Sequence, residues 1–228
     1  MVANRLDGLI FDLDGTLVDN FLITNDAFRA GFAAVEQPPY TDAELVAMFG
    51  PTPEEIFRQH APDGWERAIE VFYEQYEALA TPEQLVLAGM QDTLRAARKA
   101  DIRLGIVTGS PERTSTLSLR LGGVTRPFTD ISTNTVPSQG KAERIVAMVQ
   151  KWGLPLHRVG YVGDTARDVE QAKAAGVAPL GAAWCRGVQA KVLWAAGAAQ
   201  VFTKPRQLQM WLLEPQGANL FDMDPLAL

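Results

Sequence analysis

The chain has 228 residues, 47% of them apolar, which is enough for a proper core and suits one main domain with a modest insertion better than two large domains. A formal net charge of −6 works against nucleic acid as a partner; the single cysteine, Cys185, excludes an internal disulfide, and with only His60 and His157 beside it little remains for a zinc site. No apolar run is long enough to span a bilayer and no secretion-signal layout opens the chain, so a cytoplasmic protein without a membrane partner is expected.

The first apolar run, Gly8-Leu9-Ile10-Phe11, reads as a buried strand assigned to Leu9–Leu13, and it leads into Asp12-Leu13-Asp14-Gly15-Thr16. Side chains two apart on a strand point the same way, so Asp12 and Asp14 converge on one small volume while Gly15 lets the chain turn sharply. Adjacent carboxylates repel, and such a pair persists only with a bound cation or with one member protonated. The bland alternative is an ordinary D-x-D-G turn.

From Asp19 to Val86 thirteen Asp and Glu face three Arg and no Lys, a net −10 that leaves +4 for the rest of the chain. This stretch contains no convincing strand. Thr52-Pro53-Glu54-Glu55 is a capping box with Pro at the first helical position, Asp63 can start a helix that runs to Leu79, and Gly50-Pro51-Thr52-Pro53 reads as a rigid loop. Residues 19–86 therefore read as a helical insertion after the first strand, with most of its acids on solvated faces.

Beyond it, strands are expected at Arg103–Thr108, Asp130–Ser132, Val159–Gly163, Ala178–Ala183 and Gln200–Phe202. Helices alternate with them near Gln91–Ala100, Pro111–Leu121, Lys141–Trp152, Ala166–Ala175, Val188–Ala196 and Pro205–Leu213. This alternation predicts the α/β class, a doubly wound, mostly parallel, Rossmann-like sheet built from 1–18 and 87–213, with 214–228 as a peripheral tail.

Ligands of such sheets bind beyond the carboxyl ends of the strands, where Thr108-Gly109-Ser110 and Gly163-Asp164-Thr165 also fall. The Thr108 hydroxyl and the amides that follow suit a phosphate, whereas Ser110-Pro111 reads as an N-cap with Pro at the first helical position. Asp164 alone reads as an N-cap, but Asp168 lies four residues on and returns to the same helix face. His60 is expected to end a helix and His157 to sit in a loop, and Trp184, Trp194 and Trp211 are assigned to packing.

The run Phe11 to Asp19 resembles the first signature of the haloacid dehalogenase superfamily, Thr108 matches the second, and Gly163 to Val177 is similar to the fourth, G-D-T-x-x-D-x-x-x-A-x-x-A-G. Lys141 stands where the third signature's lysine belongs, although Ala142 replaces the usual proline; Lys151 is the fallback. The resemblance implies a Mg²⁺-dependent phosphatase with a helical cap, of the subgroup that includes phosphoglycolate phosphatases, acting on a small phosphorylated metabolite as a monomer or homodimer. It implies Asp12 as nucleophile and Asp14 as acid/base. Thr108, Gly109 and Lys141 would bind phosphate, and Asp12, the Asp14 backbone carbonyl and Asp164 the metal, with Thr16 and Asp168 in support. Asp14 argues against a dehalogenase, and the absence of any lysine before Lys99 argues against Schiff-base phosphonate cleavage. A sugar phosphomutase and a non-catalytic phosphate-binding protein remain as alternatives. Within the insertion, Arg58 is the expected specificity residue, meeting a second anionic group such as a carboxylate.

Overall fold

The strand-like runs pair into one six-stranded sheet: β1 (Gly8–Phe11), β2 (Arg103–Val107), β3 (Asp130–Ser132), β4 (Val159–Gly163), β5 (Ala178–Ala182) and β6 (Gln200–Phe202). The computed structural model describes residues 6–49, 51–124, 126–134 and 139–213. All pairings are parallel and the order is β3-β2-β1-β4-β5-β6. Chain order therefore reverses at β1, which has β2 on one side and β4 on the other. Such a reversal opens a crevice at the carboxyl ends of the two strands that flank it.

Helices α6 (Met90–Lys99), α7 (Glu112–Leu121), α8 (Lys141–Trp152), α9 (Ala166–Ala175), α10 (Ala190–Ala196) and α11 (Pro205–Leu213) connect and cover the strands. The period-2 alternation of each strand divides its side chains between two cores. Leu9 and Phe11 of β1, Leu104 and Ile106 of β2 and Leu180 of β5 join α6, α7 and α11, whereas Ile10, Val107 and Tyr161 meet Ile145, Met148 and Trp152 of α8 on the other face. The doubly wound fold is thus as expected. The strands end one or two residues early at β1, β2 and β5, and α10 starts at Ala190 rather than Val188 because Val188 is held in a turn on the Cys185 carbonyl. Trp211 is buried, but Trp194 is 45% exposed and is not a packing residue.

Between β1 and β2 the chain forms α1 (Phe21–Ala33), α2 (Asp42–Met48), α3 (Pro53–His60), α4 (Trp65–Leu79) and the single turn α5 (Pro82–Leu85). The expected capping box is present: Thr52 Oγ1 accepts from the Glu55 amide at 3.2 Å and the Glu55 carboxylate accepts from the Thr52 amide at 2.8 Å. Asp63 does not cap α4; Gly64 does. His60 ends α3, while His157 lies in a 3₁₀ turn rather than an open loop. The two ends of the insertion meet at its root, where Val18 bridges Val86 and the Asp19 amide donates to the Leu85 carbonyl at 3.0 Å. Gly50 and the tail 214–228 lie outside the described residues.

The insertion coheres through aromatic side chains shared by α1, α3 and α4. Phe28 stands 4.7 Å from Phe72 and Phe32 4.7 Å from Phe57, ring centre to ring centre. Gly31 makes this spacing possible, because a Cβ there would come within 2.6 Å of both the Ala68 carbonyl and the Phe57 ring. Helix propensity alone would favour alanine by up to about 1 kcal/mol. The backbone carbonyl cannot yield, so Gly31→Ala is expected to destabilise the fold by about 1–3 kcal/mol, seen as a fall of several degrees in Tm. A rise in Tm would show that α1 and α4 can separate at no cost.

Candidate active site

Asp12 and Asp14 leave β1 at the reversal point of the sheet, and Asp164 leaves the neighbouring β4. The Asp12 amide extends the β1–β4 pairing by donating to the Val162 carbonyl at 2.8 Å, which fixes where the first carboxylate emerges. The sharp exit afterwards depends on Gly15, whose φ is +73° and whose missing Cβ would fall on the Asp164 carboxylate. Thr16 Oγ1 lies 3.4 Å from Asp164 Oδ1, and the Trp184 indole pins the same turn by donating to the Thr16 carbonyl at 3.0 Å.

Carboxylate oxygens of Asp12, Asp164 and Asp168 all lie within 4.8 Å of one another. Lys141, the first residue of α8, places Nζ 3.2 Å from Asp12 Oδ1 and 2.6 Å from Asp168 Oδ1. The lysine position therefore holds without the proline. Lys151 is not its substitute: it pairs with Asp130 at the surface. Asp168 has few lone pairs to spare, since Lys141 donates to Oδ1 and the Thr165 amide and hydroxyl donate to Oδ2 at 3.1 and 2.5 Å; the Tyr161 hydroxyl, 3.4 Å from Oδ1, gives its one proton to the Val107 carbonyl at 2.9 Å. Thr165, not Asp164, is the N-cap of α9, with Asp168 closing the capping box. Asp164 is thereby free to face the cluster.

Burial pushes the Asp12 carboxyl up to about 7; Lys141 opposes the shift, and Asp168 and Asp14 add to it. Asp164 is raised well above the ordinary range by burial and then by Asp12 and Asp168. For Lys141 burial alone would lower the ammonium pKa, but Asp12 and Asp168 win and it is held above its usual value. The cluster therefore carries more carboxylates than one lysine neutralises. Asp12 Oδ1 is buried with no hydrogen-bond partner apart from that ion pair. An oxygen-only donor set with a deficit of positive charge fits a hard divalent cation.

The Asp14 carboxylate lies apart from this cluster. Asn20 Nδ2 donates to its Oδ1 at 2.5 Å and the Ser110 hydroxyl donates to its Oδ2. Ser110 is thus a site residue rather than the N-cap, and Pro111 takes the cap position of α7. Asn20 also donates to Tyr76 Oη of α4 at 3.1 Å, and Tyr76 Oη lies 2.7 Å from Ser118 Oγ of α7, which donates to the Thr114 carbonyl at 3.0 Å. With the Ser118 proton committed to Thr114, the Tyr76 hydroxyl is the donor to Ser118, and the whole relay is directional.

Thr108 and Gly109 line the cavity as expected, the Thr108 oxygen accepting from the Ser110 amide at 3.0 Å. Sequence reading missed Arg144, one turn after Lys141. Its buried guanidinium donates to the carbonyls of Thr108 at 2.8 Å and Ser132 at 3.2 Å, tying the ends of β2 and β3 together beneath the cavity. A charged residue at i+3 from Lys141 on an otherwise apolar helix face was the available signal. Arg58 is not brought to the site. Helix α3 turns Ile56 and Phe57 inward, leaving Arg58 exposed with its guanidinium 4.0 Å over the Trp65 ring and outside the cavity lining.

A parallel sheet that carries three aspartates and a lysine at its reversal point defines the class, and the family follows from comparison. Residues 9–182 match the model of the haloacid dehalogenase-like hydrolases, and the chain belongs to that family. It is 27% identical to the pyrophosphatase PpaX of Bacillus pumilus over 191 residues, covering 81% of this chain and 86% of that protein. It is 28% identical to the phosphoglycolate phosphatase of Rhodospirillum rubrum over 222 residues, covering 91% of each. A crystal structure titled as a predicted phosphoglycolate phosphatase from Haemophilus somnus shares the fold, with a TM-score of 0.77 at 18% identity over 89% of this chain and 96% of that one.

The proton balance of the cluster has a measurable consequence. Asp12 keeps its proton in the metal-free fold up to about 7 but releases it near 3.8 when unfolded, so the folded state binds more protons between these values. Stability of the metal-free protein from this group accordingly falls as pH rises through that window. A divalent cation requires the ionised carboxylates, so Mg²⁺ is expected to raise Tm more at about pH 8 than at about pH 5. Thermal unfolding with and without Mg²⁺ checks this, and Asp12→Asn should reduce the metal-free slope, to which Asp164 also contributes. Equal Mg²⁺ shifts at both pH values would refute the assignment.

Proposed function

We propose that this protein is a Mg²⁺-dependent phosphatase that hydrolyses small phosphomonoesters through an aspartyl-phosphate on Asp12, with residues 19–86 as a cap over the site. One observation carries the reading: the two carboxylates of the first motif have opposite surroundings. Asp12 sits in the charged cluster beside Lys141, and Asp14 is held away from it by Asn20 and Ser110. Paired carboxylates in separate environments are how one site obtains a nucleophile and an acid/base from the same residue type.

In this scheme a carboxylate oxygen of Asp12 attacks phosphorus and the ester bond to the leaving oxygen breaks. Asp14 gives its proton to that oxygen, then takes one from the water that hydrolyses the acyl phosphate and frees Asp12. Lys141 offsets the charge that accumulates between nucleophile and phosphoryl group, and Thr108 and the Gly109 region offer donors to the phosphoryl oxygens. Asp12, Asp164 and the Asp14 backbone carbonyl would hold Mg²⁺, which when bound polarises the phosphoryl group and keeps the carboxylates ionised. Asp168 orients Lys141, and Thr16 steadies Asp164. The relatives are named as phosphatases and pyrophosphatases, which favours hydrolysis over the phosphomutase alternative.

Asp12→Asn is expected to abolish turnover of every phosphomonoester while preserving the fold, as judged by circular dichroism and Tm. Residual turnover near the wild-type level would refute covalent catalysis. Asp14→Asn is expected to slow an alkyl phosphate by about 10²–10⁴ but an aryl phosphate, with its better leaving group, considerably less. Equal slowing of both would count against Asp14 as the acid. Chelation with EDTA should stop the reaction and added Mg²⁺ restore it; full activity in a chelated sample would remove the metal from the mechanism.

A further inference from the structure

Above the carboxylate cluster the cavity continues into the helical insertion, with a total volume of about 530 Å³, in the range of small-molecule sites. Its far wall is apolar: Phe21 of α1 and Phe49 after α2 offer accessible surface, Phe28, Ile56 and Phe72 contribute side chains no more than 2% exposed, and Thr24 is the polar exception among the α1 residues. Phe49 is 40% exposed and leans on Phe28, ring centres 5.8 Å apart. An aromatic side chain left this open in a cavity that leads to a nucleophile is unburied apolar surface awaiting an occupant.

No cation from the insertion reaches that wall. Arg29 is bound by Asp26, Asp42 and the Tyr40 carbonyl, Arg58 lies over Trp65, and Arg67 pairs with Glu70. The insertion as a whole carries a net −10. On the sheet side, Lys141 is taken by Asp12 and Asp168, and Arg144 gives Nη1 to two backbone carbonyls, its buried Nε having no hydrogen-bond partner among the described residues. Arg167 and Arg186 also line the cavity; both are exposed to solvent and lie outside the insertion, although the Arg186 charge reaches Asp42 of α2. An anionic leaving group held against the apolar wall itself would lose hydration there, and the charge compensation left to it comes from Arg167 and Arg186, which stay in solvent.

We propose that the leaving group of the substrate is uncharged and mainly apolar, an aromatic or branched alkyl body seated on Phe49 and Phe21, and not a carboxylate or a second phosphate. This rests on the phosphatase reading and narrows it. It also sets the chain apart from relatives named for pyrophosphate and phosphoglycolate.

The test measures kcat/KM of the Mg²⁺-loaded protein for benzyl phosphate, methyl phosphate, phosphoglycolate and pyrophosphate. Benzyl phosphate is expected to exceed phosphoglycolate and pyrophosphate by at least about tenfold, the scale on which a hydrophobic pocket discriminates. Phe49→Ala should reduce the benzyl-to-methyl ratio of kcat/KM by about tenfold. Thr24→Lys, which puts a cation on the wall from a half-buried position, should move the preference toward phosphoglycolate. Hydrolysis of methyl phosphate together with a preference for either anionic substrate would overturn the inference and leave the phosphatase reading standing, as would an unchanged benzyl-to-methyl ratio in Phe49→Ala. Failure to hydrolyse any of the four would overturn both.

Discussion

The site is organised by the electrostatic imbalance at the reversal point of the sheet. Carboxylate oxygens of Asp12, Asp164 and Asp168 are brought within 4.8 Å of one another in a crevice, and among the described residues Lys141 is the single cation that touches two of these aspartates. Burial and mutual repulsion raise the proton affinity of Asp12 and Asp164. Such a cluster costs stability unless something compensates it. The compensation is arranged in layers: Lys141 lies across Asp12 and Asp168, Thr165 satisfies Asp168 with its amide and hydroxyl, and the remaining deficit faces the cavity, where a cation and a phosphoryl group would meet it.

Everything else in the fold serves to bring these groups to one place. Parallel pairing puts the carboxyl ends of β1, β2 and β4 on the same edge, and the order β3-β2-β1-β4-β5-β6 sets β1 between the other two. The loops then differ in what they must do. The turn after β1 has to bend immediately, which Gly15 permits with its positive φ, and it has to admit Asp164, which the same missing Cβ permits. Arg144 performs the matching task beneath Thr108, where a buried guanidinium holds two strand-end carbonyls that the sheet leaves open.

Much of this was legible in the residues. Strict alternation of apolar strands and amphipathic helices gave the parallel sheet, because each strand's two faces demand helices on both sides. The D-x-D-G and G-D-T-x-x-D spacings located Asp12, Asp14, Asp164 and Asp168, because those residues are close in sequence or one helical turn apart. Contacts between distant segments were illegible. Ser110 looked like a cap because Ser before Pro is a common helix start; only the fold reveals Asp14 across from it, 96 positions away in sequence. Arg58 looked available because the segment had few cations, yet the inward face of α3 belongs to Ile56 and Phe57. Charge composition described the insertion's exterior, whereas its cavity wall is made of residues that contribute no charge.

The relay from Asp14 shows how the insertion reaches this carboxylate without contributing a charged group. Asn20 spends one amide hydrogen on Asp14 and the other on Tyr76; Tyr76 donates onward to Ser118, and Ser118 to the Thr114 carbonyl. Tyr76 is pushed up to about 12 by burial and then by Asp14, so its hydroxyl stays neutral and keeps its proton for Ser118. Each donor in this chain is committed, and each lies between elements: Asn20 at the root of the insertion, Tyr76 on α4, Ser118 on α7. Withdrawing α4 from α7 would break the Tyr76–Ser118 bond, at a cost of about 1–3 kcal/mol for a hydroxyl left buried without it, while Ser118 would keep its bond to Thr114. It would also release the amide that aims Asp14. The seating of α4 on α7 and the aim of Asp14 are thus held by the same set of bonds.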